Sequence, residues 1–157
     1  MEAGRNHLHQ IQDAISEIEG YIRSAKLLSL VAEKDHGVIR SAVMVLSFGV
    51  EKSFKALIRH VEDRVPPRGH KLDVLYNELT PQTRGELIFA TNAKPRHIQW
   101  ALSNNSNSFE DWRYAEERGE QMYFSMPEVM IEIMEFAVFR LKHQVEGHAP
   151  QEMDETA

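Results

Sequence analysis

The chain has no cysteine among its 157 residues. Disulfides and thiolate-held zinc or iron–sulfur centres are therefore excluded for this sequence. A metal would need histidine and carboxylate ligands, but the eight histidines show no His-x-x-x-His pair or similar spacing. We therefore predict no metal site and expect no cofactor.

Long apolar runs are also missing. No stretch approaches the roughly 18 apolar residues of a membrane-spanning helix. The first ten residues are polar and lack the apolar segment of a secretory signal. With 42% hydrophobic and 27% charged residues, the composition is that of one globular domain. We expect a cytoplasmic protein with no membrane partner.

An excess of positive charge is the third absence. The net charge is −6, so the chain as a whole lacks the electrostatic signature of a nucleic-acid-binding protein. The basic residues are not evenly spread along the chain. Eight of them fall in its middle: Arg59, Arg64, Arg68, Lys71, Arg84, Lys94, Arg96 and Arg113. They are consistent either with solvated surface residues or with a local anion-binding patch.

Apolar residues recur every three or four positions along three long segments, which predicts amphipathic helices. The first runs from Leu8 to about Lys34, the second from about Val38 to Arg64, and the last from about Pro127 to Gly147. Pro66-Pro67 ends the second helix, because proline disfavours helix in the residue before it.

Shorter helices are predicted between the long ones. They cover about Lys71–Leu79 and Gln82–Thr91, with Thr80 as the N-cap of the second and Pro81 at its first position. Lys94–Leu102 is ambiguous, and Ser103–Ser108 has the composition of a polar loop.

No segment alternates as a strand would. We therefore predict an all-α bundle of four to five helices, with the second and last long helices at its centre. A single domain spans residues 8–147, flanked by flexible termini at 1–7 and 148–157.

A polar pair interrupts the apolar second helix. Glu51 and Lys55 stand at i and i+4, the spacing of a helical ion pair, and Glu51 lies at the edge of the apolar stripe. His70 follows Gly69 in a tight turn at the start of the next helix. It is either a capping residue or a proton-transferring group that faces the same groove as Glu51.

Arg113 is the second candidate anion-binding side chain. It lies between Trp112 and Tyr114, one turn after Phe109, and aromatic neighbours hold a guanidinium in a fixed orientation that suits phosphate or carboxylate. We also expect Arg113 to pair with Glu51 inside the protein, a pairing that does not exclude a ligand role.

Three features, in this order, resemble the HEPN domain family. They are Glu51-x-x-x-Lys55-Ala56-Leu57, Gly69-His70-x-Leu72-x-x-Leu75 and Phe109-x-x-Trp112-Arg113-Tyr114, and the resemblance covers about Ile11 to Val145. It implies a HEPN-like helical bundle that is often a homodimer. Members of this family include nucleotide- or nucleic-acid-associated modules and metal-independent RNases of toxin–antitoxin and phage-defence systems.

The RNase branch carries an arginine followed, after four to six residues, by a histidine on a late helix. This chain departs from that pattern, because no histidine follows Arg113 before His143. Arg64 and His70 have the right spacing, but Pro66-Pro67 prevents them from sharing one helix. The departure favours a binding module over an enzyme.

Our leading hypothesis is that Glu51, Lys55, His70, Arg113 and Tyr114 bind a phosphate-bearing ligand, either a nucleotide or RNA. One alternative is a metal-independent endoribonuclease with His70 and Arg113 as candidate catalytic residues. The other is a purely structural or dimerisation bundle.

We also predict a homodimer. The family commonly pairs, and the small residues Ser47, Gly49 and Ser53 permit close helix contact. The alternative is a monomer whose small face meets its own first helix. The resemblance further suggests a defence or toxin–antitoxin context with a cognate antitoxin-like protein.

Overall fold

The computed structural model describes residues 2–106 and 126–147, and within these ranges its regular secondary structure is helical, without strands. Its six α-helices are α1 (Glu2–Ala32), α2 (Ile39–Ala56), α3 (Leu72–Glu78), α4 (Pro81–Ala90), α5 (Pro95–Asn105) and α6 (Pro127–Gly147). A 3-10 turn at His36–Val38 leads into α2, and a π-helical turn at Leu57–Val61 continues it. The all-α prediction is confirmed, although the described ranges hold six helices instead of four to five.

The additional helix is α5, which replaces the ambiguous segment and half of the predicted polar loop. The loop prediction is wrong at Ser103–Asn105, while residues 107 and 108 lie outside the described residues. The side-chain amides of Asn104 and Asn105 donate to the carbonyls of Trp100 and Ala101, at 2.8 and 2.7 Å. These bonds satisfy the two amide groups. The burial of Ala101, Leu102 and Asn105 anchors the helix end where composition predicted a loop.

The three long helices α1, α2 and α6 pack against one another in pairs and form the main core. Each contributes large side chains with at most 1% exposure, among them Ile11, Ile18, Val50, Phe54, Met130 and Ile133. Burial of apolar surface on this scale supplies most of the stability of a small helical domain. It also gives α2 a fixed orientation, and α2 carries the polar pair.

Gly49 on α2 allows a close approach between the long helices. A Cβ atom built at this position would lie 2.2 Å from Met134 Sδ and 2.9 Å from Tyr21 Cβ. The neighbouring Ser53 is completely buried, and its hydroxyl donates to the Gly49 carbonyl at 2.8 Å. Of the three small residues on which we based the dimer prediction, Gly49 therefore faces this chain's own α1 and α6, and Ser53 is buried within the chain. The dimer itself remains a prediction.

The segment between α2 and α4 is held by Glu62. Its Oε1 accepts hydrogen bonds from the backbone N–H and the hydroxyl of Thr80, at 2.8 and 2.9 Å. Thr80 in turn caps α4 as predicted, because its hydroxyl oxygen accepts from the Thr83 N–H at 3.3 Å and Pro81 follows. Within this segment Gly69 has φ +117°, a backbone conformation that favours glycine.

The structure describes the chain from residue 2 onward, but it does not describe residues after 147. α1 begins at Glu2, so helical backbone extends into the segment for which we expected a flexible terminus. The predicted flexible tail, 148–157, lies outside the described residues. Among the helices of the described ranges, none is both long and apolar enough to span a bilayer.

His60 lies in the π-helical turn against α1. Its ring centroid is 5.4 Å from that of His7, and its Nδ1 is buried without a hydrogen-bond partner among the described residues. Burial, followed by the nearby charges of His7 and Arg59, holds the pKa of His60 below the ordinary histidine value of 6.5.

The first prediction concerns Gly49. Gly49→Ala should lower the free energy of unfolding by ~1–3 kcal/mol, because the new methyl group meets Tyr21 Cβ, which is fixed to the helix backbone. The matched control is Gly20→Ala on α1, where the nearest atom would be 3.9 Å away. That substitution should stabilise the protein by roughly 0.5–1 kcal/mol, because alanine favours the helix. The midpoints of urea unfolding measure the change in stability of both variants. Equal changes in Gly49→Ala and Gly20→Ala would contradict this account of the packing.

The second prediction concerns pH. Since the pKa of His60 is lower folded than unfolded, the unfolded chain binds more protons between the folded pKa and 6.5. Stability should therefore fall as the pH drops below about 6.5, and this loss should be smaller in His60→Gln. Urea unfolding of both proteins at pH 7.5 and pH 5.5 measures it. An identical pH dependence in the two proteins would contradict the assignment.

Candidate functional site

The site is built around a buried carboxylate on α2. Glu51 is 7% exposed, and Lys55 Nζ lies 2.7 Å from its Oε1. Residues four apart on a helix face the same way, so the lysine reaches the carboxylate without help from another element. A carboxylate removed from water in this way needs charged or hydrogen-bonding partners.

His70 supplies the second partner from a distant part of the chain. Its Nδ1 lies 2.9 Å from Glu51 Oε1 and 3.0 Å from Oε2. An ionised carboxylate only accepts, so Nδ1 carries the proton and shares it between the two oxygens. The rest of the imidazole faces outward, because the His70 side chain is 79% exposed.

Two features of α3 and the preceding loop bring His70 to this position. Gly69, with its positive φ, turns the chain directly before the histidine. Directly after it, Leu72 and Leu75 are buried, and α3 packs on α2. The histidine is therefore held between a turn and an anchored helix.

Glu51 and His70 open onto a cavity of about 630 Å³. A cavity of this size suits a small organic ligand. Its walls come from α2, the loop before α3, α3 itself and the end of α5. The lining residues are Met44, Ser47, Phe48, Glu51, Pro67, Arg68, Gly69, His70, Lys71, Val74, Leu75, Asn105 and Ser106.

The end of α5 is tied to the start of α3, which closes one wall. The Ser106 oxygen accepts from the Asp73 N–H at 3.0 Å. Its hydroxyl also lies 2.6 Å from Asp73 Oδ1 and 2.8 Å from the Leu102 carbonyl, and its one proton goes to one of these acceptors. Asn105 and Ser106 were not predicted as site residues, because their composition indicated a loop.

The cavity has more cationic than anionic side chains. Arg68 and Lys71 are exposed at its edge, and neither has an ion-pair partner within the described ranges. The cavity lining contains one carboxylate, Glu51, which Lys55 already neutralises. In a protein of net charge −6 this is a local positive region. Both cations belong to the basic middle of the sequence. That cluster of basic residues is the sequence signal by which they could have been identified as site residues.

The structure brings together three of the five predicted ligand-binding residues: Glu51, Lys55 and His70. Arg113 and Tyr114 lie outside the described residues, as do Phe109 and Trp112, so the Arg113–Glu51 pair stays a prediction. Ser47 lines the cavity. The described ranges hold no group of three His, Asp or Glu side chains placed to bind a metal ion.

Arg64, whose spacing to His70 resembles the RNase pattern, is engaged elsewhere. Its Nη2 contacts the Glu62 carboxylate and donates to the Glu78 carbonyl. Burial opposes the charge of Glu62, but the hydrogen bonds from Arg64 and the threonines prevail and lower its pKa. Arg64 therefore supports the segment between α2 and α4, and His70 pairs with Glu51 instead.

The third prediction tests how strongly Glu51 depends on its partners. Lys55→Met should lower the free energy of unfolding by ~1–3 kcal/mol, because it removes a charged partner from a buried carboxylate. The double variant Glu51→Gln/Lys55→Met should recover part of this loss.

The matched control is Lys52→Met on the same helix. Lys52 Nζ lies 3.0 Å from Glu17 Oε1, but both side chains are close to half exposed. Lys52→Met should therefore lower the free energy of unfolding by less than ~1 kcal/mol. Equal losses at the two lysines, or strictly additive effects in the double variant, would contradict a coupled buried pair.

Comparisons of this chain with protein-family models, with curated proteins and with solved structures find no match in any of the three. The HEPN resemblance therefore stays a prediction from its sequence motifs.

Proposed function

We propose that the cavity beside Glu51 and His70 binds a small phosphate-bearing ligand, of which a nucleotide is the best-fitting class. The observation that carries the proposal is the combination in one cavity of apolar walls with the exposed cations Arg68 and Lys71. Ligand sites typically combine apolar walls with a few converging polar groups.

The cations provide the phosphate contacts. Arg68 offers a planar fork that can bind two phosphate oxygens, and Lys71 acts as a point charge next to it. The exposed edge of His70 lies between them in sequence. Its Nε2 accepts from the ligand when the ring is neutral and donates to a phosphate oxygen when the ring is protonated.

A single nucleotide fits better than a long RNA. Tight binding of a polyanion requires many cations along an extended surface, and each neutralised phosphate adds to the salt dependence. Here the positive region is confined to one cavity of an acidic protein. An RNA contact limited to one nucleotide at this cavity is the other form of the same proposal.

The endoribonuclease alternative gains no support from the described contacts. Carboxylate-oriented histidine is a common arrangement for a general base, but phosphoryl transfer also needs a cation at the reacting phosphate. Of the two arginines considered for that role, Arg64 is occupied by Glu62 and Glu78, and Arg113 lies outside the described residues. Arg68 and Lys71 lie beside His70 in the cavity, but they do not have the arginine–histidine spacing of the RNase branch. A binding module is therefore our proposal, and the enzyme stays an alternative prediction.

The HEPN resemblance adds a biological context to the proposal. A homodimer, a cytoplasmic location and a defence or toxin–antitoxin system with an antitoxin-like partner remain predictions from sequence. An adjacent gene for a nucleotidyltransferase or an antitoxin-like protein would support that context.

The fourth prediction tests ligand binding. Titration calorimetry with nucleoside monophosphates should give heat of binding to the wild-type protein. Arg68→Ala and Lys71→Ala should each weaken binding by roughly 3- to 10-fold, which corresponds to a loss of about 0.7–1.4 kcal/mol. Rising salt should weaken it further.

The matched control for these variants is Arg96→Ala, which removes an exposed arginine of the same basic stretch outside the cavity lining. It should bind as the wild type does. Absence of binding at millimolar nucleotide, or equal effects of Arg68→Ala and Arg96→Ala, would overturn the proposal.

A further inference from the structure

We infer that the cavity holds its ligand by a terminal phosphate monoester in the dianionic form, and that His70 takes up a proton when this phosphate binds. The inference rests on the proposed function and specifies the class of phosphate and the side chain that selects it. It follows from the fixed orientation of the His70 ring and from the charges around that ring.

The contact with Glu51 fixes which nitrogen of His70 carries the proton. Nδ1 lies 2.9 and 3.0 Å from the two oxygens of the Glu51 carboxylate, and an ionised carboxylate only accepts hydrogen bonds. In the neutral ring the single proton therefore stays on Nδ1. The other nitrogen, Nε2, then carries a lone pair and is an acceptor.

A phosphate at the outer edge of this ring requires a second proton. The oxygens of a phosphate dianion are acceptors, so they repel the lone pair of a neutral Nε2. Moving the proton from Nδ1 to Nε2 does not help, because an unprotonated Nδ1 would then face the buried Glu51 carboxylate. The ring accommodates both anions as the imidazolium, which donates to Glu51 from Nδ1 and to the phosphate from Nε2.

The outer edge of His70 is accessible from the cavity. The His70 side chain lines the cavity and is 79% exposed, although Glu51 engages its Nδ1. Arg68 and Lys71 line the same cavity and are at most two residues from His70 in sequence. Two residues span at most about 7.6 Å between Cα atoms. A phosphate placed against His70 is therefore within reach of both cationic side chains.

The charges around His70 couple its protonation to phosphate binding. The charged groups that flank it among the described residues are Glu51 and Lys55 on α2, Arg68 and Lys71 in the loop, and Asp73 on α3. Lys55 already pairs with Glu51 at 2.7 Å, and Asp73 lies outside the cavity lining, with its Oδ1 2.6 Å from the Ser106 hydroxyl. A protonated His70 beside Arg68 and Lys71 therefore adds positive charge that a bound anion balances. Proton uptake and phosphate binding favour each other, because such coupling is reciprocal.

The three cations of this wall favour a phosphate with two negative charges. A phosphate monoester is mostly a dianion at neutral pH, since its second pKa is about 6. A diester within an RNA chain carries one charge. Protonated His70, Arg68 and Lys71 therefore prefer the terminal phosphate of a nucleotide, or of an RNA end, to an internal phosphate of RNA.

The proton uptake is measured by titration calorimetry with GMP at about pH 7.5, in two buffers of different ionisation enthalpy. The wild-type protein should take up about 0.3–1 proton per bound GMP. GMP is almost entirely a dianion at this pH and contributes little to the count. His70→Gln should lower the uptake below about 0.1 proton, because glutamine can still donate to Glu51 but does not titrate.

The matched control for this variant is His97→Gln, which removes a histidine outside the cavity lining. It should leave the proton uptake and the affinity for GMP unchanged. Circular dichroism checks that both variants are folded, and the two measurements on the wild-type protein decide the matter if His70→Gln is not.

The class of phosphate is tested with the methyl ester of GMP, in which the phosphate is a diester. This probe should bind the wild-type protein about 5- to 10-fold more weakly than GMP does, because it lacks the second negative charge. In His70→Gln the difference should shrink to about 2- to 3-fold, because one of the three cations is missing.

The outcomes distinguish this inference from the proposal beneath it. Binding of GMP without proton uptake, uptake that persists in His70→Gln, or equal affinities for GMP and its methyl ester would overturn this inference and leave nucleotide binding in place. Failure of both probes to bind at millimolar concentration would overturn the proposed function as well.

Discussion

The site depends on the burial of one carboxylate. Glu51 occupies a helix face that otherwise packs into the core, between Val50 and Phe54, which are fully buried. A charge in that position is stable only when donors surround it. Lys55 satisfies the requirement from within the helix, and His70 from another part of the chain. The burial of Glu51 therefore favours a position of the loop before α3 that keeps His70 in contact with the carboxylate.

The helical scaffold makes this arrangement rigid. α2 is fixed between α1 and α6 by the close approach at Gly49, so Glu51 has a defined orientation. On the opposite wall, the hydrogen bonds of Ser106 with Asp73 join α5 to α3. The cavity lies between these two parts, and Glu51, Lys55 and His70 already contact one another before any ligand binds. Preorganised groups of this kind lose little conformational entropy when a ligand binds.

Features set by neighbouring residues were the ones that sequence predicted well. The Glu51–Lys55 pair follows from helix geometry alone, and the Thr80-Pro81 helix start follows from capping chemistry. The extension of α5 was missed because it depends on tertiary contacts, the burial of Leu102 and Asn105 and the hydrogen bonds of Ser106 with Asp73, where composition indicated a loop.

Features that depend on contacts between residues distant in sequence were harder to predict. The small face at Gly49 was identified, but its partner, the protein's own α1 and α6, was only one of two alternatives. The turn at Gly69 made a His70 that faces Glu51 one of two interpretations from sequence. The cavity between α2, α3 and α5 is visible only in the packed structure. Arg68 and Lys71 were visible only as members of a basic stretch, because sequence does not show which cations share a cavity.

The central claim is that the cavity beside Glu51 and His70 is a ligand site, and amide chemical-shift mapping by NMR tests it most directly. On addition of GMP, the account predicts shifts confined to three segments, residues 44–51, 67–75 and 105–106, which line the cavity. Shifts confined to α1 or α4, or no shifts at millimolar GMP, would contradict it.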